Sequence, residues 1–401
     1  MLRTFQSTFS HNHRWGRRMR TPFISAYRYV SSKTYIPTDR ESTTLSLTPD
    51  FSACSYMKLD SGHTLTLIEG EEKARFRKDF VGYPDGLVRL SPDRWLFPGR
   101  YMDLGNDYYN FEFRKDDALI MTYPKCGTTW TQEIVWTMRN NPDLDHPDAL
   151  WAVMDRVPFI EFDLFFPKHL PEGVEPAASS AFQRYCPEGD PRADFNLQLS
   201  RAIPDPRTLK THLPFSLFSP DLLEKTKVIY VARNPKDMLV SYLHHHRLLR
   251  IQEFIGSLDE FTDHFIKDDL VYGPYWLHLK EAWERRDHPN LHFVFYEDLK
   301  ADIMSELKKL DAFLGTRLSH DQLANVAKYT SFSEMKARDS LFSNKEAVEN
   351  DALYNQEIRN KDGGFFRQGQ AGSWKTKLTP EVAEKIDKWI SQKCDFGIKF
   401  K

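Results

Sequence analysis

Three stretches of the chain repeat one pattern: a short continuous apolar run, a polar turn, then apolar residues at helical spacing. In the first, Ala118-Leu119-Ile120-Met121 leads into Tyr123-Pro124-Lys125-Cys126-Gly127-Thr128-Thr129, and Trp130, Ile134 and Met138 then recur every fourth residue up to Asn140-Asn141-Pro142. Thr129 with Gln132 has the form of a capping box, which predicts a helix starting just after the glycine. In the second, Val228-Ile229-Tyr230-Val231-Ala232 runs to Arg233, with Asn234 suited to the N-cap and Pro235 to the first helical position. In the third, Phe293-Val294-Phe295-Tyr296 leads into Glu297-Asp298-Leu299. Strands that are apolar throughout are buried on both faces. Alternating with helices, they predict an α/β fold with a central parallel sheet flanked by helices on both faces. Ligands of such sheets bind beyond the carboxyl ends of the strands, so the three turns should face one crevice.

Upstream the pattern changes. Residues 1–38 contain no Asp or Glu but seven Lys or Arg, among scattered Ser, Thr and aromatics. That composition fits a mitochondrial presequence, and equally a disordered leader or residues bypassed by initiation at Met19 or Met57. Residues 1–55 are read as this leader and 56–401 as one domain. Globular patterning sets in near Phe76, where aromatic clusters alternate with Gly and Pro turns through Pro98-Gly99. Neither an internal repeat nor a later low-complexity linker interrupts it.

Composition narrows the class. The 401 residues are 40% hydrophobic and 14% aromatic, enough for a large core. Fifty-five basic against 57 acidic residues leave no global pull toward nucleic acid or a membrane surface. No apolar run approaches the roughly 18 residues of a membrane-spanning helix. Cys54, Cys126, Cys186 and Cys394 lie far apart without a CxxC pair, which argues against a disulfide framework or structural zinc and for a reducing compartment.

Four segments carry candidate chemistry. YPKCGTTW (123–130) joins a strand to a helix in the manner of a phosphate loop. Gly127 lets amides approach an anion, the helix N-terminus adds partial positive charge, Lys125 adds a full one, and Thr128 and Thr129 add hydroxyls. Here Lys precedes the only Gly, unlike the G-x-x-x-x-G-K-[ST] order of nucleotide triphosphatases. An ordinary strand–helix turn fits the same letters. Arg233 at a strand end, with Ser241 about two turns on, suits phosphate recognition, although such an Arg often pairs with a carboxylate. Gly363, Gly364, Gly369 and Gly372 surround Arg367 in a loop that backbone or ligand approaches closely. In Lys210-Thr211-His212-Leu213-Pro214, His212 has the pKa to take a hydroxyl proton near neutrality and Lys210 could stabilise developing charge. The run His244-His245-His246 resembles a metal cluster, but adjacent helical residues do not face each other, so no metal is expected there.

In this order, YPKCGTTW, KTHLP, RNPKD with Ser241, FYEDL, TSFSEM (330–335) and FFRQGQAGSWK (365–375) resemble the cytosolic sulfotransferase family, from about Phe76 to near the C-terminus. The resemblance implies transfer of a sulfuryl group from phosphoadenosine phosphosulfate (PAPS) to a hydroxyl of a small, largely apolar acceptor, a phenol, steroid, retinoid or alcohol. PAP is the product and no metal takes part. Lys125, Cys126, Gly127, Thr128, Thr129 and Trp130 would cradle the phosphosulfate, Lys125 assisting the leaving phosphate. Arg233 and Ser241 would hold the ribose phosphate together with Arg367, Gln368 and Gly369. Trp130, Tyr296, Phe365, Phe366 and the stretch Thr330, Ser331, Phe332, Ser333, Glu334 and Met335 would surround the adenine. His212 would be the base, with Lys210 and Thr211 beside it, and Phe159, in RVPFIE (156–161), and Phe215 would belong to the acceptor pocket. The family's usual compartment is the cytosol; the basic leader keeps a mitochondrial alternative open.

Three departures from the family pattern stand out. Arg-Lys-Gly becomes Arg367-Gln368-Gly369, removing one charge near the ribose phosphate, and Gly-Asp-Trp-Lys becomes Gly372-Ser373-Trp374-Lys375. The dimer stretch, Lys then Thr-Val then Glu, appears as Lys375, Thr379-Pro380 and Glu384, so a homodimer is possible but Pro380 places that contact in doubt. Two alternatives share the motifs: a PAPS-dependent dehydratase working through a sulfated intermediate, and a PAPS-binding pseudoenzyme, against which Lys125, Lys210 and His212 argue. A nucleotide kinase is disfavoured by the loop order and the lack of metal ligands.

Overall fold

The computed structural model describes residues 56–400 except 84, 169–177, 343–352 and 368. The leader, Cys54 and Gln368 therefore lie outside the described residues. Regular structure is present from Tyr56, earlier than the patterning near Phe76 suggests. Strands β1 (Tyr56–Lys58), β2 (Thr64–Leu67), β3 (Leu87–Ser91) and β4 (Trp95–Pro98) form an antiparallel sheet in sequential order. The sequence reading missed this sheet because its strands are three to five residues long, too short for a period to emerge.

The second sheet is the one the apolar runs announce. It comprises β5 (Ala118–Met121), β6 (Thr208–Thr211), β7 (Lys227–Ala232) and β8 (Leu291–Phe295), in the order 6-5-7-8 with every pairing parallel. Successive side chains on a strand point to opposite faces, and here both faces are covered. Leu119 and Met121 enter one apolar cluster, Ala118 and Ile120 the other; on β7, Val228 and Tyr230 join the first cluster while Ile229 and Val231 join the second. The first cluster also takes in Leu90, Trp95 and Phe97, so the antiparallel sheet packs onto the same core. β6 escaped notice because three of the four residues in Thr208-Leu209-Lys210-Thr211 are polar; its register against β5 places Lys210 opposite Ile120.

Helix starts follow two different devices. Asn234 caps the Pro235–Leu248 helix as expected, its side chain accepting from Lys236 N, with Pro235 at the first position. The Thr128–Asn140 helix does not use the expected capping box: Gly127 is the N-cap, at φ 105°, and Gln132 instead donates to Val157 O at 3.3 Å. Thr129 thus lies within the first turn with its hydroxyl released from capping. Pro380 opens the Pro380–Lys393 helix, capped by Thr379, at a position whose amide would be unpaired in any case. Among the described residues no helix is long and apolar enough to cross a membrane.

Candidate active site

The loops after β5, β6, β7 and β8 open onto one cavity of about 870 Å³. One end is polar and basic. After β5 the backbone alternates in hand, with Lys125 at φ 66° and Gly127 at φ 105°. A non-glycine residue in the left-handed region is strained, and such alternation turns successive amides toward a common concavity that suits an anion. Gly127 is required twice over, since a Cβ there would lie 2.7 Å from Tyr296 Cδ2. Arg233 stacks on Tyr296 at 4.3 Å and donates from Nη1 to Lys125 O and from Nη2 to Gln370 O, joining the phosphate-type loop to the glycine-rich loop. Its Nε is buried without a partner among the described residues, as is Trp130 Nε1. Lys125, Arg233, Ser241, Arg367 and Gly369 all line this end. Burial, then the charges of Arg233, Lys210 and Arg367, push Lys125 down to about 7. Three like charges around one space mark a site that is completed by an anion.

Asp237 explains why the glycine-rich loop sits there. Its carboxylate accepts from Gly372 N at 2.6 Å, Ser373 Oγ at 3.0 Å and Trp374 N at 3.0 Å. Gly369 is pressed against Phe332, where a Cβ would come within 2.3 Å of the ring. Glu297 accepts from Asn234 N at 2.9 Å, tying the turn after β8 to that after β7. Sequence reasoning gave neither acid a role; the adjacency of Asp237 to the RNPK run was its only signal.

At the carboxyl end of β6 the imidazole of His212 is fixed from both sides. Nδ1 lies 2.8 Å from Thr122 O, an atom that can only accept, so Nδ1 carries the proton and Nε2 holds the lone pair. The His212 backbone N donates to Glu161 at 2.5 Å, and His278 Nε2 donates to His212 O at 3.0 Å. Burial, reinforced by Lys210, holds the ring far below its usual pKa, hence neutral in the ligand-free protein; negative charge brought by a bound donor would raise it. Glu161, fully buried, also accepts from Thr211 Oγ1 at 2.8 Å; burial raises its pKa while lowering that of nearby Lys210. Lys210 Nζ sits 3.7 Å above the Phe159 ring. Glu161 is the residue whose role the sequence reading missed, having entered only as a letter in the RVPFIE string.

Phe159 and Tyr272 pack edge-on against His212 at 5.1 and 5.3 Å, and beyond them the cavity turns apolar, lined by Phe162, Phe165, Leu249 and Ile251. Not every expected residue faces the space. Thr330, Phe332, Met335, Phe365 and Phe366 line it, whereas Ser331 caps the Phe332–Ala337 helix, and Ser333 and Glu334 are exposed outside it. Cys126, Thr211 and Phe215 are buried beneath the lining: Cys126 Sγ points to Pro124 O, Thr211 to Glu161, and Phe215 lies under Arg285. The three successive histidines part company. His244 contacts Gly364 O, His246 contacts Tyr242 O, and His245 lines the cavity.

A parallel α/β sheet whose edge carries an anion cradle, a neutral imidazole and an apolar chamber defines a phosphate-loop-like group-transfer architecture. Residues 115–396 match the sulfotransferase domain, and the chain belongs to that family. Luciferin sulfotransferase of Photinus pyralis is 32% identical over 302 residues, covering 73% of this chain and 75% of that protein. Sulfotransferase 1C2 of Homo sapiens is 34% identical over 295 residues, covering 73% and 88%. A retinol dehydratase solved with retinol and PAP superposes at a TM-score of 0.71 with 28% identity, covering 84% of this chain and 99% of that one. A mouse sulfotransferase solved with PAP gives 0.54 and 27%, covering 78% and 95%.

Proposed function

We propose that the protein transfers a sulfuryl group from PAPS to a hydroxyl of a small, largely apolar acceptor, with His212 as the base. The observation that carries the reading is the fixed tautomer of His212, whose unprotonated Nε2 belongs to a buried ring at the junction of a cationic cradle and an apolar chamber. The residues fit the donor. Unpartnered Arg233 Nε and Trp130 Nε1, and a turn that tolerates no Cβ at Gly127, are what a bound nucleotide of high negative charge would satisfy. PAPS supplies the sulfuryl group; Lys125, Thr128, Thr129 and Arg367 would hold its anionic end, while Tyr296, Thr330, Phe332 and Met335 would flank the base. His212 Nε2 takes the acceptor proton, and Lys210 and Lys125 offset the charge that develops on the oxygens. Residues 56–401 act as one unit in this reading, and the likeness to cytosolic sulfotransferases supports the cytosol as its compartment.

A second reading has its own support. The superposition on a retinol dehydratase is tighter than that on the mouse sulfotransferase, which favours net dehydration through a sulfated intermediate. Incubation with labelled PAPS and a panel of phenols, steroids, retinoids and alcohols, followed by product mass, separates the two. A gain of sulfonate supports transfer, a loss of water supports dehydration, and neither product from any acceptor sinks both.

A further inference from the structure

The wall of the acceptor chamber at Leu249–Gln252 holds a polar group that sulfuryl transfer does not use. This segment follows the Pro235–Leu248 helix and is pinned from two directions. Arg250 N donates to Leu353 O at 2.9 Å and Asn355 N to Leu248 O at 2.8 Å. On the other side Gly82 packs so closely that a Cβ there would lie 2.5 Å from Gln252 N. Leu249, Ile251 and Gln252 line the cavity together with Phe162 and Phe165. Gln252 is only 3% exposed, yet its Oε1 has no hydrogen-bond partner among the described residues.

An amide in an apolar wall with an unmet bond is costly unless something else meets it. Tyr272 presents a second unpartnered atom, its hydroxyl, in the same cavity; its ring lies 5.3 Å from that of His212, which assigns it to the reacting end. Gln252 belongs to a different segment of the wall, beside Leu249 and Ile251 and packed against Gly82. We propose that Gln252 is a specificity-determining residue that binds a second hydroxyl of the acceptor, remote from the one that is sulfated. The natural acceptor is then an apolar molecule carrying two hydroxyls rather than one. A hydroxyl suits this amide in either orientation, because it both donates and accepts.

The inference rests on the proposed transfer reaction, and the test keeps the two apart. Matched acceptors differing by one hydroxyl are compared: a naphthol against a naphthalenediol, and a monohydroxy steroid against the steroid diol. With wild-type protein, kcat/KM for the diol should exceed that of its partner by about tenfold on the skeleton that fits best, one neutral hydrogen bond's worth. Gln252→Leu should erase that preference while leaving the monohydroxy acceptor within about twofold and PAP affinity unchanged. Calorimetric titration of the same pairs into PAP-loaded protein reads the contrast without turnover. No preference for either diol in wild type, or equal losses for both members of each pair in Gln252→Leu, overturns the inference. Binding contrast without any sulfonated product leaves it standing and counts against the transfer reading instead.

Discussion

The two ends of the cavity are built by opposite strategies. The donor end draws on turns directly after strands of the parallel sheet: Lys125 to Thr129 after β5, Arg233 after β7, and Tyr296 after β8, closed by the glycine-rich loop that Asp237 holds. Its function is carried by backbone hand, helix starts and fixed cations, all of which demand particular residues at particular spacings. The acceptor end is assembled from separate stretches near 151–165, 178–196, 249–252, 272 and 353–354, and what they share is apolarity and shape. In the proposed reading a charge pattern must be kept to bind one donor, whereas an apolar chamber could be recontoured without touching the groups that act on the sulfuryl. The donor end is therefore coded as motif and the acceptor end as surface.

His212 stands where the two meet, and its removal should produce the largest effect. His212→Ala is expected to lower turnover by roughly 100- to 10,000-fold, the usual cost of losing a general base, with PAP affinity nearly unchanged. Single-turnover rates and calorimetry on the same preparation check both halves. Near-normal turnover would assign the base elsewhere. Lys125→Ala comes next, and it acts on the donor end alone. A charge-assisted contact is worth about 1.5–3 kcal/mol, so PAP should bind roughly ten- to 150-fold more weakly and the rate should fall as well, because the charge acts on bound and transition states alike. Unchanged PAP binding with normal turnover would remove Lys125 from the site.

How much of this was legible in the sequence follows the same division. Strands β5 and β7 and the start of the Pro235–Leu248 helix were readable, because buried parallel strands are apolar throughout and Asn-Pro is a strong helix opening. Lys125, Arg233 and Arg367 were found as candidates since each sits in a turn whose letters restrict it, whereas Tyr296 entered only through the family resemblance. Glu161 was not, because its importance lies in a contact across 51 residues with the backbone of His212, and no local spacing encodes that. Nor was Gln252, whose notable property is a missing partner. The capping box failed for a physical reason: Gly127 at φ 105° already terminates the turn, and the anion cradle needs Thr129 inside the helix rather than ahead of it.

Arg367 offers a sharper cut within the donor end. Burial and the facing Arg233 both act against its charge, an arrangement that an anion between them would relieve. Arg367→Ala should weaken PAP by about five- to thirtyfold, corresponding to about 1–2 kcal/mol, and more so at low salt, while a neutral acceptor binds as before. A nucleotide lacking the ribose phosphate should not respond. Equal losses for both nucleotides would mean that the loop acts through folding.

The smallest effect concerns protons and separates the ends without altering shape. In the ligand-free protein Lys125 is pushed down to about 7, chiefly by burial and then by its cationic neighbours. An anionic nucleotide supplies opposite charge and raises that pKa, so above pH 7 binding must bring a proton with it. The sign follows directly. Below pH 7 Lys125 is already charged and affinity should be flat in pH; above 7 the free protein is increasingly neutral at this position and affinity falls. With Lys125 at about 7 in the free protein, PAP should bind about fivefold more weakly at pH 8 than at pH 7, the slope approaching about tenfold per pH unit only above that. Titrations in buffers of different ionisation enthalpy count the proton, and Lys125→Met should abolish both the uptake and the slope. Binding of an uncharged acceptor should show neither, because it brings no opposite charge to raise the pKa of Lys125. If PAP binding to wild-type protein took up no proton between pH 7 and 9, the crowding of cations that defines the donor end would be wrong. If Lys125→Met kept the slope, the titrating group would have to be sought in Lys210 or Glu161, at the junction with the acceptor chamber.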